Sequence, residues 1–311
     1  MEGQSVETVL YDNEGSYMSK TRVSDLDFVF ISFREPNCEE NYADLLNKVP
    51  WAKRVHGVVG FDSAHKAAAE LAETDFFISI DGDNILDPQF LLQTLDWTKT
   101  DRKAVHRWKA RNSINGLIYG NGGVVGWDRE TCLMMRTHEN ADDDRAKIDF
   151  CWTVPHENLH NVYSETVINS SPEQAFLAGF REGVKMSLDQ GERIPPHDFM
   201  NKIHSHNLRI LATWQSVGAD VENGKYAVLG ARMGCWQTIT HGFDLVEVRE
   251  LDHIIKMFDN IKGDPDELIQ TYGNSLRQKL GIFIADYDAE ASRFFKFCQK
   301  PYTNKGVQDR E

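Results

Sequence analysis

The sequence predicts an α/β protein whose parallel sheet binds its ligand at the carboxyl ends of the strands, followed by a helical extension. Two short apolar runs rich in aromatic and β-branched residues, 27–33 (DFVFISF) and 75–80 (DFFISI), read as buried strands. Between them 63–71 (SAHKAAAEL) is a compact helix former, with Asp62 or Ser63 as its cap. Both strands end in polar residues, Arg34-Glu35-Pro36-Asn37 and Asp81-Gly82-Asp83. Strand–helix–strand order with polar strand ends is the grammar of a parallel sheet with a ligand site at its edge.

The remaining elements follow in order. Residues 42–46 fit a turn or two of helix, and 54–60 (RVHGVVG) suit a second strand. Segments 104–111 and 124–127 are further strands, joined through Tyr119-Gly120-Asn121-Gly122-Gly123. The stretch 139–145 (ENADDDR) is too acidic for a core and reads as an exposed loop, and 163–169 as another strand. Ser171-Pro172-Glu173-Gln174 opens a helix by rule: Ser at the cap, Pro at the first position, Gln three residues after the cap. Beyond about Gly218 the apolar spacing turns helical. Leu251, Ile254, Ile255 and Phe258 keep the i, i+3, i+4, i+7 pattern, and a second helix runs through Leu268, Tyr272 and Leu276. The expected organisation is a tail over 1–20, a catalytic domain over 21–217 and a mainly helical extension over 218–311.

Composition narrows the class. The 311 residues carry 34 Lys and Arg against 48 Asp and Glu, a net charge of −14. That balance argues against generic nucleic-acid binding, which needs a positive field, but leaves room for a local basic groove. No apolar run approaches the roughly 20 residues needed to cross a bilayer. The first 17 residues are polar and acidic, without a secretory pattern, so the expected location is cytoplasmic, the host cytoplasm if the protein is viral. The cysteines, Cys38, Cys132, Cys151, Cys235 and Cys298, are widely spaced with no C-x-x-C, against a disulfide framework or a structural zinc site.

Five D-x-D pairs occur, and context separates them. Only Asp81-Gly82-Asp83 combines a preceding strand with a central glycine; Asp286 follows Leu276, Leu280 and Ile284 at helical spacing. Two carboxylates leaving one strand tip suit a hard divalent cation, Mn²⁺ or Mg²⁺, held through oxygen. Gly82 leaves room for a diphosphate, and a cation bridging two phosphates stabilises the charge of a departing nucleotide. A plain Asp-Gly turn is the competing reading.

With DFVFISF, SAHKAAAEL and DFFISIDGD followed by NILDPQF, residues 27–90 resemble the nucleotide-sugar half of a family 2-like glycosyltransferase A (GT-A) fold. The whole chain is similar to uncharacterised glycosyltransferases of tailed phages. The resemblance implies a donor that is a nucleoside-diphosphate sugar, with UDP as the first expected nucleotide. It puts Ser32, Phe33, Arg34 and Glu35 beside the nucleoside, His65 and Lys66 near the base or diphosphate, and Asp81 and Asp83 at the ribose and metal. It implies a carboxylate base at a helix start after the acceptor loop, which is Glu173, with Glu182 and Asp149 as rivals. It also implies a late histidine as third metal ligand, here His206, with His204 and His241 as alternatives.

Three later features bear on the acceptor. Lys103, Arg107, Lys109 and Arg111 share one face if their segment is extended, a stripe that suits a donor diphosphate (Arg107 above all) or a nucleic-acid backbone; a solvated strand face is the alternative. Asn121, Gly122 and Gly123 offer backbone to an acceptor sugar or form a simple turn. Trp127 and Asp128 stack on and bond to a sugar or belong to the core. Some phage transferases decorate hydroxymethylated pyrimidines, so duplex DNA carrying such bases is the first expected acceptor. Alternatives are a glycan or lipid-linked sugar acceptor, a sugar-phosphate nucleotidyltransferase, and a non-enzymatic phage structural or carbohydrate-binding protein. Residues 208–234 receive no chemical role.

Overall fold

The computed structural model describes residues 19–119, 123–142, 154–261, 263–299 and Asn304. Gly120, Asn121, Gly122, Asp149 and Cys151 lie outside them.

In chain order the sheet-forming half contains β1 (Lys20–Arg22), β2 (Asp27–Ser32), α1 (Cys38–Lys48), β3 (Lys53–His56), α2 (Phe61–Leu71), β4 (Phe76–Asp81), β5 (Asn84–Leu86), β6 (Thr94–Asp96), β7 (Val105–Asn112), β8 (Ile118–Tyr119), β9 (Val124–Asp128), α3 (Arg129–Met134) and β10 (His156–Thr166). The main sheet runs β3-β2-β4-β9-β7-β10-β5, with β8 paired to β7, while β1 and β6 form a separate two-stranded pair. Strands β3, β2 and β4 are parallel, as expected. The sheet as a whole is mixed, however: β9 is antiparallel to both β4 and β7, and β5 is antiparallel to β10. The cause is the short connection after β7. Asn112 accepts the Gly116 N–H and donates to Leu117, which turns the chain back at once, and a parallel return would need a long crossover.

Period-2 alternation assigns the two faces. Phe28, Phe30, Ile78, Ile80 and Trp108 pack with Cys38 and Leu45 of α1. Val29, Phe77, Val125 and Trp127 pack with Ala68 and Ala69 of α2 and Cys132 of α3. The cap of α2 differs from expectation. Gly60 precedes the helix, and the free N–H groups of Asp62 and Ser63 bond to the carboxylate of Glu139. Glu139 is therefore a capping group from the acidic stretch, and Asp62 is buried beneath it, bonded to Lys66, Thr137 and Asn140.

The helical layer contains α4 (Pro172–Lys185), α5 (Ser205–Trp214), α6 (Gly224–Ile239), α7 (Leu251–Asp259), α8 (Pro265–Leu280) and α9 (Ala289–Cys298). The predicted start of α4 is realised: Ser171 Oγ accepts the Gln174 N–H at 3.0 Å, and Gln174 Oε1 accepts the Ser170 N–H at 2.9 Å. Helices α4 and α6 cross at backbone contact. A Cβ at Gly179 would stand 2.0 Å from the Ala227 carbonyl oxygen, and one at Gly230 would stand 2.3 Å from that of Phe176. Gly183 and Gly234 meet Ala231 and Phe180 in the same way. This crossing is the role of much of 208–234, and it joins residues on both sides of position 217.

Arg232, on α6, is fully buried and saturated: it donates to the carbonyls of Gln215, Ile269 and Ala285 and to Asp286. Asp286 is thus a structural counter-ion, bonded also by Arg277 at 2.9 Å. The helical spacing expected through Ile284 fails because α8 stops at Leu280 on Gly281, whose φ of +68° needs no Cβ. No helix among the described residues is long and apolar enough to cross a membrane.

The crossing makes a direct prediction. Gly179→Ala should destabilise the protein by about 2 kcal/mol or more, read as a lower urea midpoint at unchanged m-value, because the Ala227 backbone cannot yield as a side chain would. An unchanged midpoint would show that the helices can move apart.

Candidate active site at the carboxyl edge of the sheet

Parallel strands deliver their last residues to one edge, and here β2, β4 and β10 bring Ser32, Asp81 and Thr166 together. The turn after β4 is clamped from every side. The Asp81 N–H donates to the Gly123 carbonyl at 2.8 Å, Asn41 Nδ2 donates to the Gly82 carbonyl at 2.9 Å, and the Val167 N–H donates to the Asp83 carbonyl at 2.7 Å. Asn84 Nδ2 donates to Asp83 Oδ1 at 2.7 Å while its own oxygen accepts from Thr166. A third carboxylate arrives from the loop after β2. Glu35 Oε2 accepts the Phe33 N–H at 2.7 Å and lies where a Cβ on Gly82 would be, 2.7 Å from that position. The glycine therefore admits Glu35 against the turn, rather than leaving open space for a diphosphate.

These carboxyls stand in an unfavourable field. Loss of water, then the charges of Asp83 and Glu35, raise Asp81 well above the usual carboxylate range. Asp83 is pushed up to about 6 by burial and Glu35, with Asn84 and the Arg181 charge partly offsetting this. Asp81, Asp83 and Glu35 do not converge as a three-ligand group among the described residues. Any cation here would therefore rest on one or two carboxylates, as Mg²⁺ often does, with water or substrate phosphate completing its shell.

One three-ligand grouping is present among the described residues, Cys38, Glu39 and His56. Its charge is already met. Arg54 donates to both Glu39 oxygens, to Ser32 Oγ and to His56 Nδ1. A guanidinium at the centre of the group stands where a cation would, and burial further holds the Cys38 thiol protonated.

The other predicted site residues divide sharply. Ser32 and Phe33 lie at the edge beside Asp81, and Arg34 packs over the Phe33 ring at 4.9 Å. Arg34 also pairs with Asp252 at the start of α7, tying the edge to the helical layer. Glu173 is exposed on the first turn of α4. That turn joins the acidic edge through Gln174 to Asn37, Asn37 to the Val167 carbonyl, and Val167 to Asp83.

Several expectations are corrected. His65 is buried, its Nδ1 bonded to the Phe61 carbonyl and its ring stacked on Phe61, and burial pulls its pKa down to about 4. Lys66 is tied to Asp62 at 2.6 Å. His65 is thus committed to the core and Lys66 to an ion pair within α2. Trp127 is fully buried with its indole N–H on Ser79, so it stacks on no sugar. Asp128 pairs across from Phe76 at the far end of β4, about 17 Å of strand from Asp81, where it caps α3. Gly123 is buried against Asn84 and Asp81, backing the acidic turn.

Of the basic stripe, Lys103 precedes β7 and pairs with Asp128 and Glu130. Arg107, Lys109 and Arg111 do alternate along β7, but Arg107 is half-buried, level with Ser79 and two strands away from it. His206 is exposed on the first turn of α5, a helix packed on α4 and α6 that meets the sheet at its other end, where Trp214 donates to Tyr119 of β8. Sequence reasoning missed Asn41, Asn84 and Arg181. Only Asn84 carried a signal, its place directly after the acidic turn.

No protein-family model matches the chain, and no curated protein does. Among solved structures, that of HddC from Yersinia pseudotuberculosis is similar over 44% of this chain and 90% of its own length, at 13% identity and a TM-score of 0.26. A superposition that loose carries no functional meaning for this protein.

The coupled carboxyls predict a pH signature. Asp83 binds its proton more tightly when folded, so between about 4 and about 6 the folded state holds more protons than the unfolded one, and its contribution to stability falls as pH rises. His65 works oppositely: buried neutral, it costs stability as pH drops from 6.5 towards 4, and it cancels when Asp83→Asn is compared with the unmutated protein. The variant should be the more stable by about 2–3 kcal/mol at pH 7.5 without metal, a gap that closes near pH 4 in urea titrations. A gap independent of pH would contradict the coupling.

Proposed function

We propose that this protein is a metal-dependent glycosyltransferase with a GT-A-like donor site that moves a sugar from a nucleoside diphosphate, UDP first, to a hydroxyl acceptor. The observation that carries the reading is the clamped Asp81-Gly82-Asp83 turn at the carboxyl end of a parallel strand, with repelling carboxyls and Glu35 held against it. Asp81 and Asp83 would hold Mn²⁺ or Mg²⁺. When bound, the cation supplies positive charge for the diphosphate as it leaves. Phe33, with Arg34 over its ring, offers the nucleoside a flat cationic platform beside Ser32. Glu173 takes the proton of the acceptor hydroxyl from the rim of the edge. Glu182 is the less suited carboxylate, since its oxygens already accept from Tyr119 and Lys185. For a hydroxymethylated DNA acceptor the supporting feature is reduced to Arg107, Lys109 and Arg111.

Sugar transfer from UDP-hexoses, assayed with Mn²⁺ against hydroxymethylated duplex DNA and against oligosaccharides, tests the reading. Asp83→Ala should abolish transfer and Mn²⁺-dependent UDP binding while the fold survives. Glu173→Gln should keep donor binding and lose roughly two to four orders of magnitude in rate. Full transfer by Asp83→Ala, or no UDP binding by the unmutated protein, would overturn it.

A further inference from the structure

One guanidinium near the acidic edge, that of Arg181, has a shielded Nε with no hydrogen-bond partner among the described residues. Arg181 lies on α4 seven residues after Gln174, hence on the same helix face, and Gln174 bonds Asn37 at the edge. The opposite face of α4 is taken by Gly179 and Gly183 against α6. Long helical side chains lean towards the N-terminus of their helix, and for Arg181 that direction is towards the turn that meets Val167 and Asp83.

Arg181 is half-buried, its Nε is shielded from water without a hydrogen-bond partner, and it forms no ion pair among the described residues. Its charge is nonetheless felt at Asp83. Two other guanidiniums of the fold differ from it. Arg232 is saturated by three carbonyls and Asp286, and Arg54 is engaged with Glu39, Ser32 and His56. A shielded donor without a partner costs about 1–3 kcal/mol and calls for a reason. A planar fork of donors matches phosphate oxygens, and its charge is what an anion entering a carboxylate-lined edge requires.

We propose that Arg181 is the anion anchor of this site, donating to phosphate oxygens of the ligand whose metal is held at Asp81 and Asp83. The nucleotide part of this inference rests on the glycosyltransferase reading; the phosphate part rests on Arg181 itself. Calorimetric titration of the Mn²⁺-loaded protein with UDP, uridine and inorganic pyrophosphate separates the two. Arg181→Gln should weaken UDP and pyrophosphate by about 10- to 100-fold and leave uridine unchanged, with Arg181→Lys in between because it keeps charge but not the fork. Unchanged anion affinity in Arg181→Gln, or an equal loss for uridine and UDP, overturns the anchor. If Arg181→Gln does not fold, Arg181→Lys decides: pyrophosphate affinity within twofold of the unmutated protein overturns the proposal. An unmutated protein that binds pyrophosphate but neither uridine nor UDP refutes the nucleotide-sugar reading and keeps the anchor if Arg181→Lys loses that affinity. One that binds no anion refutes the anchor.

Discussion

Three carboxylates that repel one another, held together by the backbone around them, are the constraint on which this structure turns. Left to itself, a short Asp-Gly-Asp turn would swing its side chains into water. Here Gly123, Asn41 and Val167 bond the Asp81 N–H, the Gly82 carbonyl and the Asp83 carbonyl, and Glu35 is fixed by the Phe33 N–H. The repulsion is thereby stored in the fold instead of being relaxed, and protons or a cation are the two ways to relieve it. Such perturbed groups are enriched at functional sites, where shifted proton affinities serve chemistry.

The rest of the molecule serves this edge. Strands β2 and β4 are parallel and buried on both faces, so their ends cannot drift in register without exposing Phe28, Phe30 and Phe77. The glycine crossing of α4 and α6 lets α4 approach closely enough for its first turn to reach Asn37 and for Arg181 to act on Asp83. Arg34 and Asp252 tie the same edge to α7. A substitution far from the acidic turn, at Gly183 or Gly230, therefore reaches the site through helix position rather than through chemistry.

Much of this was readable in the sequence, for identifiable reasons. Strands β2 and β4 and helix α2 announce themselves through short-range periodicity, and Ser171-Pro172-Glu173-Gln174 spells its own cap. The antiparallel insertion of β9 was not readable, because strand direction is decided by how the chain returns and not by its apolar pattern. His65, Trp127 and Asp128 are residue types that serve sites and cores alike, and only their facing separates the two. Arg181 carries no local signal at all. It matters because two glycines dock the far side of its helix, a relationship between residues 179–183 and 227–231 that no short window contains.

The central claim is that the edge holds a divalent cation between Asp81 and Asp83, and the most direct test is crystallographic. Crystals soaked in MnCl₂ with UDP and measured near the manganese edge should show one strong anomalous peak within coordination distance, about 2.0–2.6 Å, of oxygens from Asp81 or Asp83. A peak at Cys38, Glu39 and His56, or no peak at the end of β4, would contradict the account.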